Sequence, residues 1–137
     1  MRNGIGGLRA IFDASVFVRA LVDREASAAQ WIDRAVGELV VSVPSLVFAE
    51  VANALAVYVR AARLSEEGAL ARLELALRVP QHVVEIGTLA PAALGVAISR
   101  RLSVYDACYA VLADAEDAVL VTADQRLAAA VTRAELI

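Results

Sequence analysis

The sequence predicts a three-layer α/β/α fold around a central parallel sheet of four or five strands. Three observations carry that expectation. Short, near-continuous apolar runs rich in β-branched residues recur along the chain, as strands covered on both faces require. Between them lie stretches with apolar residues at helical spacing, which supply the crossovers a parallel sheet needs. With 60% apolar and 21% charged residues, and only three prolines and seven glycines in 137 positions, the chain is neither disordered nor loop-rich. That length fits one domain spanning residues 1–137.

Leu8 to Phe12 is the first apolar run and reads as a buried strand, with Ala14 to Val22 continuing as a helix. Ala26 to Val36 places Ala29, Ile32, Ala35 and Val36 at helical spacing, and Gly37 supplies a stop. Leu39 to Val43 is β-branched and closed by Pro44, a second strand. Pro44-Ser45 opens a long helix to about Ala62, and Ser65-Glu66-Glu67 provides a cap and an acidic first turn for a helix ending before Pro80. His82 to Ile86 reads as a third strand, and Pro91, a residue favoured at helix starts, begins a helix reaching Arg100. Ser103 to Ala115 is a further helix, Ala118 to Thr122 a fourth strand, Ala123 to Ala130 a final helix and Glu135 to Ile137 an edge strand.

Composition excludes several functions. All 13 basic residues are arginine, so mechanisms that need lysine, such as a Walker-type phosphate loop or a Schiff base, are ruled out. The longest charge-free stretch, the 14 residues from Ile86 to Ser99, is broken by Pro91 and falls short of the roughly 18 needed to span a membrane. Arg9 and Asp13 interrupt the N-terminal segment before an apolar signal core forms, and the single cysteine, Cys108, cannot close an internal disulfide; both point to the cytoplasm. A formal charge of −3 gives no global attraction to nucleic acid, so any RNA surface is local.

In an open parallel sheet, ligands collect beyond the carboxyl ends of the strands, which singles out the acids placed there. Asp13 directly follows the first strand and Asp124 the fourth, while Glu50 lies in the helix after the second and Asp106 in the first turn of the helix opened by Ser103. Three of these have a purely local reading. Asp13 suits a helix N-cap, Ser103-x-x-Asp106 has the form of a capping box, and Thr122-x-x-Gln125 has the same form, leaving Asp124 as a first-turn charge. Glu50 resists such a reading: it is the only charge between Glu38 and Arg60, in a segment apolar enough to be core, where an unpaired carboxylate costs several kcal/mol. A lone acid there needs a cation. Asn53, one turn on, shares its helix face, and Ser15 and Thr122 stand beside Asp13 and Asp124. His82, the only histidine, reads as structural. Trp31 and Tyr58 read as helix contacts, and Arg19, Arg24, Arg60, Arg63, Arg100 and Arg101 as solvated helix faces.

These residues resemble the PIN-domain nucleases, and within them the VapC-type toxins of bacterial and archaeal toxin–antitoxin pairs. The resemblance covers nearly the whole chain: Asp13-Ala14-Ser15, Pro44-Ser45 leading to Glu50, Ser103-Val104-Tyr105-Asp106-Ala107 and Thr122-Ala123-Asp124. One departure is Ala14, where threonine or serine is frequent. The resemblance implies that Asp13, Glu50, Asp106 and Asp124 are catalytic metal-binding acids, with Ser15, Asn53 and Thr122 supporting. It further implies Mg²⁺, with Mn²⁺ substituting, endonucleolytic cleavage of RNA, a homodimer, and a small VapB-like antitoxin.

The chemistry agrees with that implication. Carboxylates held about 4 Å apart repel by about 4 kcal/mol per pair at an effective dielectric near 20, and a hard divalent cation relieves this. All-oxygen ligation favours Mg²⁺ or Mn²⁺ over zinc. The apolar helices Ala26 to Val36 and Leu46 to Val59 offer faces for an antitoxin helix, although core packing alone also accounts for them. Other classes remain open: a PIN-like scaffold that binds RNA or metal without cutting, a phosphotransfer domain on a doubly wound sheet, and a structural partner protein whose acids are only caps.

Overall fold

The computed structural model describes residues 7–137, and the expectation that the segment beginning at Met1 carries no signal falls partly outside them. Five strands, β1 (Leu8–Phe12), β2 (Leu39–Pro44), β3 (His82–Val84), β4 (Val119–Thr122) and β5 (Ala134–Leu136), form one sheet in the order β3-β2-β1-β4-β5. Every neighbouring pair is parallel, with Leu8 opposite Leu39, Phe12 opposite Val121, Pro44 opposite Val84 and Thr122 opposite Leu136. The connections are α1 (Ala14–Leu21) and α2 (Ala26–Arg34), α3 (Leu46–Arg60) and α4 (Glu66–Arg78), α5 (Ile86–Arg100) and α6 (Val104–Glu116), and α7 (Gln125–Ala129).

The central strand is buried as its composition demands: Ala10, Ile11 and Phe12 are fully covered, and so are Val41, Val43, Leu120 and Val121 beside them. Helix α1 packs against α2 and α3, α3 against α4, while α5 and α6 pair and α6 lies across β1, β2 and β4. Right-handed crossovers put these two groups on opposite faces, giving the three layers. Phe12 meets Phe17 of α1 and Trp31 of α2 edge-on, at centroid distances of 5.9 and 6.3 Å. Fully burying such a ring contributes about 1.5–3 kcal/mol. Gly37 has φ +99°, a conformation that glycine adopts freely, and this is why the chain stops there before β2.

From β1 the chain moves outward to β3, then returns to the other side of β1 to lay down β4 and β5. The topological switch therefore falls between β1 and β4, and a crevice opens at their carboxyl ends.

The largest departure from the sequence reading lies where β3 gives way to α5. The strand from His82 ends at Val84, and α5 begins at Ile86 rather than Pro91, which sits inside the helix. The Glu85 side chain accepts the Gly87 N–H at 2.6 Å, and the Thr88 hydroxyl donates to the Glu85 carbonyl at 2.7 Å, so the helix is nucleated five residues ahead of the proline. At the other end Asp124, not Thr122, caps α7, which starts at Gln125. Among the described residues, no helix is long and apolar enough to cross a membrane.

Candidate active site

Asp13 leaves β1 with its N–H bonded to the Val121 carbonyl at 3.3 Å, so the ends of β1 and β4 are tied before the side chain is placed. Asp13 is 8% exposed. Its Oδ1 accepts from the Ser15 N–H at 3.0 Å and from the Ser15 hydroxyl, and its Oδ2 accepts from the Thr122 hydroxyl. Each hydroxyl in turn accepts a backbone N–H, Ser15 Oγ from Ala123 and Thr122 Oγ1 from Asp124, both at 2.9 Å. One hydrogen-bonded relay thus joins the turn after β1 to the turn after β4. A carboxylate offers about four acceptor sites, so one remains on Oδ2.

Glu50 sits in the second turn of α3, half-buried, with Oε1 accepting from the hydroxyl of Tyr109 on α6. Tyr109 is 1% exposed and was not singled out from the sequence; its placement three residues after Asp106, on the same helix face, was the available signal. Asp106 occupies the first turn of α6, with its N–H bonded to Ser103 Oγ at 3.0 Å. Asp124 is exposed, and its Oδ1 accepts the N–H groups of Arg126 and Leu127 at 2.9 and 3.3 Å. The local reading is therefore correct for Asp13 and for Ser103, and Asp124 also caps, yet capping by backbone N–H groups leaves these acids without a countercharge.

Electrostatics links the four. Burial pushes the Asp13 carboxyl above its usual range, against the hydrogen bonds from Ser15 and Thr122. Glu50 is raised by burial, opposed by the Tyr109 hydrogen bond and reinforced by the negative charges of Asp13 and Asp106. Asp106 is raised by burial and by Asp124, with Ser103 and Arg126 acting in the other direction. Desolvation and like charge both disfavour the ionised forms, and a cation reverses both. None of the ion pairs among the described residues includes any of these acids.

The acids share a neighbourhood but are not closed on one point: among the described residues, no three His, Cys, Asp or Glu side chains are grouped tightly enough to grip an ion as they stand. Glu50 is held aside by Tyr109 and Asp124 by its cap. The donor set itself, carboxylate oxygens with spare lone pairs and raised proton affinity, fits a hard divalent cation.

Beyond Glu50 the site opens into a cavity of about 630 Å³ lined by Leu46, Ala49, Glu50, Asn53 and Tyr105. Asn53 is exposed there and makes no hydrogen bond to Glu50. Arg126, also not singled out from the sequence, is the cation whose charge reaches Asp106, and its guanidinium donates to the Arg101 carbonyl at 3.3 Å. His82 opens the edge strand β3 and is exposed.

An open parallel sheet with acids at its switch point belongs to the class of α/β proteins that bind their ligands where strand order reverses. The PIN domain family model matches residues 10–132, and the chain belongs to that family, whose members are generally nucleases. PAE2754 from Pyrobaculum aerophilum is 29% identical and superposes with a TM-score of 0.76 over 94% of this chain and 90% of its own. VapBC2 from Rickettsia felis, bound to a DNA fragment from its promoter, matches at 16% identity and TM-score 0.69 over 95% and 99% of the two chains. VapBC-1 from nontypeable Haemophilus influenzae matches at 13% identity and TM-score 0.62 over 94% and 98%. At those identities the likeness is one of fold. No curated protein sequence matches the chain significantly.

Proposed function

We propose that this PIN domain is a cytoplasmic, metal-dependent endoribonuclease and the toxin of a VapBC-type pair, working as a homodimer restrained by a small antitoxin. The observation that carries the nuclease reading is the set of four electrostatically linked acids, Asp13, Glu50, Asp106 and Asp124, without a paired cation at the switch point. The fold shared with VapBC2 and VapBC-1 supports the toxin reading. For the antitoxin, the groove of about 340 Å³ between α3 and α4, lined by Leu55, Val59, Ala69, Leu70 and Leu73, would seat an apolar helix face, whereas α2, the other helix expected to contribute, does not line it.

Asp13 and Asp106 would be the principal ligands of Mg²⁺ or Mn²⁺, with Glu50 and Asp124 contributing to a second ion or through water. When bound, such a cation polarises a phosphoryl oxygen and lowers the pKa of a water. The chain's own part is orientation. Ser15 and Thr122 fix the Asp13 carboxylate in one rotamer, and Tyr109 holds Glu50 Oε1 so that Oε2 stays available. Asn53 offers an amide at the cavity wall for a water or a substrate hydroxyl.

The test is direct. Purified protein should cleave structured RNA with Mg²⁺ or Mn²⁺ and stop with EDTA, Asp106→Asn should remove the activity, and His82→Ala should leave it. Cleavage indifferent to chelation overturns the mechanism, and Mn²⁺ binding without cleavage makes the chain a scaffold. Expression alone should arrest a bacterial host and co-expression of the antitoxin should relieve it; harmless expression overturns the toxin reading.

A further inference from the structure

Tyr105 stands next to Asp106 at the start of α6, yet 63% of it is exposed, and it lines the cavity with Glu50 and Asn53. Its ring stacks on none of the other aromatic groups found paired, and its hydroxyl makes none of the side-chain hydrogen bonds found among the described residues. By contrast Trp31 carries Arg34 over its ring at 4.5 Å, Tyr58 carries Arg63 at 5.0 Å and donates to Asp23, and Tyr109 is consumed by Glu50. A single exposed aromatic is ordinary on a protein surface, so position decides its meaning. This one is on the lip of the acidic crevice.

The cavity is also the wrong place for a phosphate. Its only charged lining residue is Glu50, and no arginine contributes to it. A volume of about 630 Å³ is far more than a water or a hydrated ion needs, since one water occupies about 30 Å³. The walls offer what a nucleobase uses: an aromatic face from Tyr105, apolar contact from Leu46 and Ala49, and an amide donor and acceptor from Asn53.

We propose that Tyr105 is a stacking platform for one unpaired nucleobase, seated in this cavity beside Asp106, with the Asn53 amide at the edge of the base. The proposal rests on the nuclease reading for the identity of the ligand and adds a substrate requirement to it: the nucleotide next to the cleaved bond is single-stranded. Paired bases cannot present a face to Tyr105, so a continuous duplex is a poor substrate. An enzyme whose own charge is negative gains from such a contact, because stacking is indifferent to the phosphate charge.

The experiment compares wild type, Tyr105→Phe and Tyr105→Ala on a single-stranded RNA and on the same RNA with one abasic site at the nucleotide flanking the mapped cleavage point. Tyr105→Ala should raise KM about ten-fold, equivalent to about 1.4 kcal/mol, with kcat little changed, and Tyr105→Phe should restore wild-type KM. On the abasic RNA all three should bind alike. Binding is read independently of turnover by fluorescence anisotropy of the labelled RNA on the same variants carrying Asp13→Asn, with Mn²⁺ present. Equal affinity of Tyr105→Ala and wild type for the intact RNA overturns the proposal, as does a Tyr105→Ala effect that persists on the abasic RNA. Conversion of a dimer to a monomer by Tyr105→Ala without loss of RNA affinity also overturns it, by assigning the ring to a second copy of the chain. If wild type binds RNA through Tyr105 but does not cut it, the nuclease reading fails and the platform stands.

Discussion

At the residue scale, the acids differ in what holds them, and substitution should expose the difference. Asp106 has neither an ion pair nor a burial as deep as that of Asp13, and it faces the negative charge of Asp124. Asp106→Asn removes a repulsion and should raise the melting temperature of the metal-free protein while shrinking the stabilisation gained from Mn²⁺. Asp13→Asn should act in the same direction in the metal-free state but by less: burial disfavours the ionised carboxyl, whereas the Thr122 hydroxyl, which accepts as well as donates, must turn to pair an asparagine N–H₂. Melts of both variants with EDTA and with Mn²⁺ check the sign and the order. The pH dependence follows from the same groups. Asp13, Glu50 and Asp106 hold protons more tightly folded than at their ordinary values of 3.8, 4.5 and 3.8, so the folded chain binds more protons over the range just above those values. Stability from these groups is complete below the ordinary carboxylate range and is lost as pH rises through the raised folded values. The metal-free protein should therefore melt higher under mildly acidic conditions than at neutral pH, with Mn²⁺ flattening the profile; a metal-free profile that rises toward neutrality contradicts it.

At the scale of elements, the alternation of strand and helix was legible because apolar runs such as Leu8–Phe12 and Val119–Thr122 announce buried parallel strands on their own. So was the position of Asp13 and Asp124 at strand ends and of Glu50 and Asp106 in early helical turns, since that requires only the order of elements. What was not legible depended on contacts distant in sequence. Tyr109 meets Glu50 across 59 residues and Thr122 meets Asp13 across 109, and neither pairing has a periodic signature. The start of α5 was misplaced because His82 to Ile86 is rich in β-branched residues and proline is common at the first helical position, whereas the Glu85 side chain had already captured Gly87. The displaced proline carries a prediction. Pro91 is the sixth residue of α5, where it lacks the N–H that would bond to Gly87, and both residues are exposed, so water partly compensates the carbonyl. Pro91→Ala should stabilise the protein by about 1 kcal/mol, net of the freedom the unfolded chain regains, without altering cleavage. An unchanged or lowered denaturation midpoint would show the ring to be packed usefully.

At the scale of the whole molecule, the field decides how a chain of charge −3 would capture the RNA proposed as its substrate. Several arginines are already paired with carboxylates: Arg9 with Glu116, Arg19 with Glu25, Arg34 with Glu38, Arg100 with Asp114 and Arg133 with Asp117 at 3.4 to 3.9 Å. Arg126 is different. It is exposed at the start of α7, beside Asp124, its charge reaches Asp106, and among the described residues its guanidinium makes one hydrogen bond, to the Arg101 carbonyl. Arg126 thus sets one positive charge beside the acidic crevice, where a phosphate flanking a bound nucleotide would run. Each phosphate neutralised on a single strand contributes about −0.7 to the slope of log affinity against log salt. Arg126→Ala should weaken RNA binding uniformly across sequences and make that slope shallower by about 0.7, while Arg133→Ala, whose guanidinium is paired with Asp117, should leave it unchanged. Binding isotherms over a series of salt concentrations with Mn²⁺ held constant separate the two. A slope that is insensitive to Arg126 would mean that capture is carried by the cation at the acids and by the base contact alone.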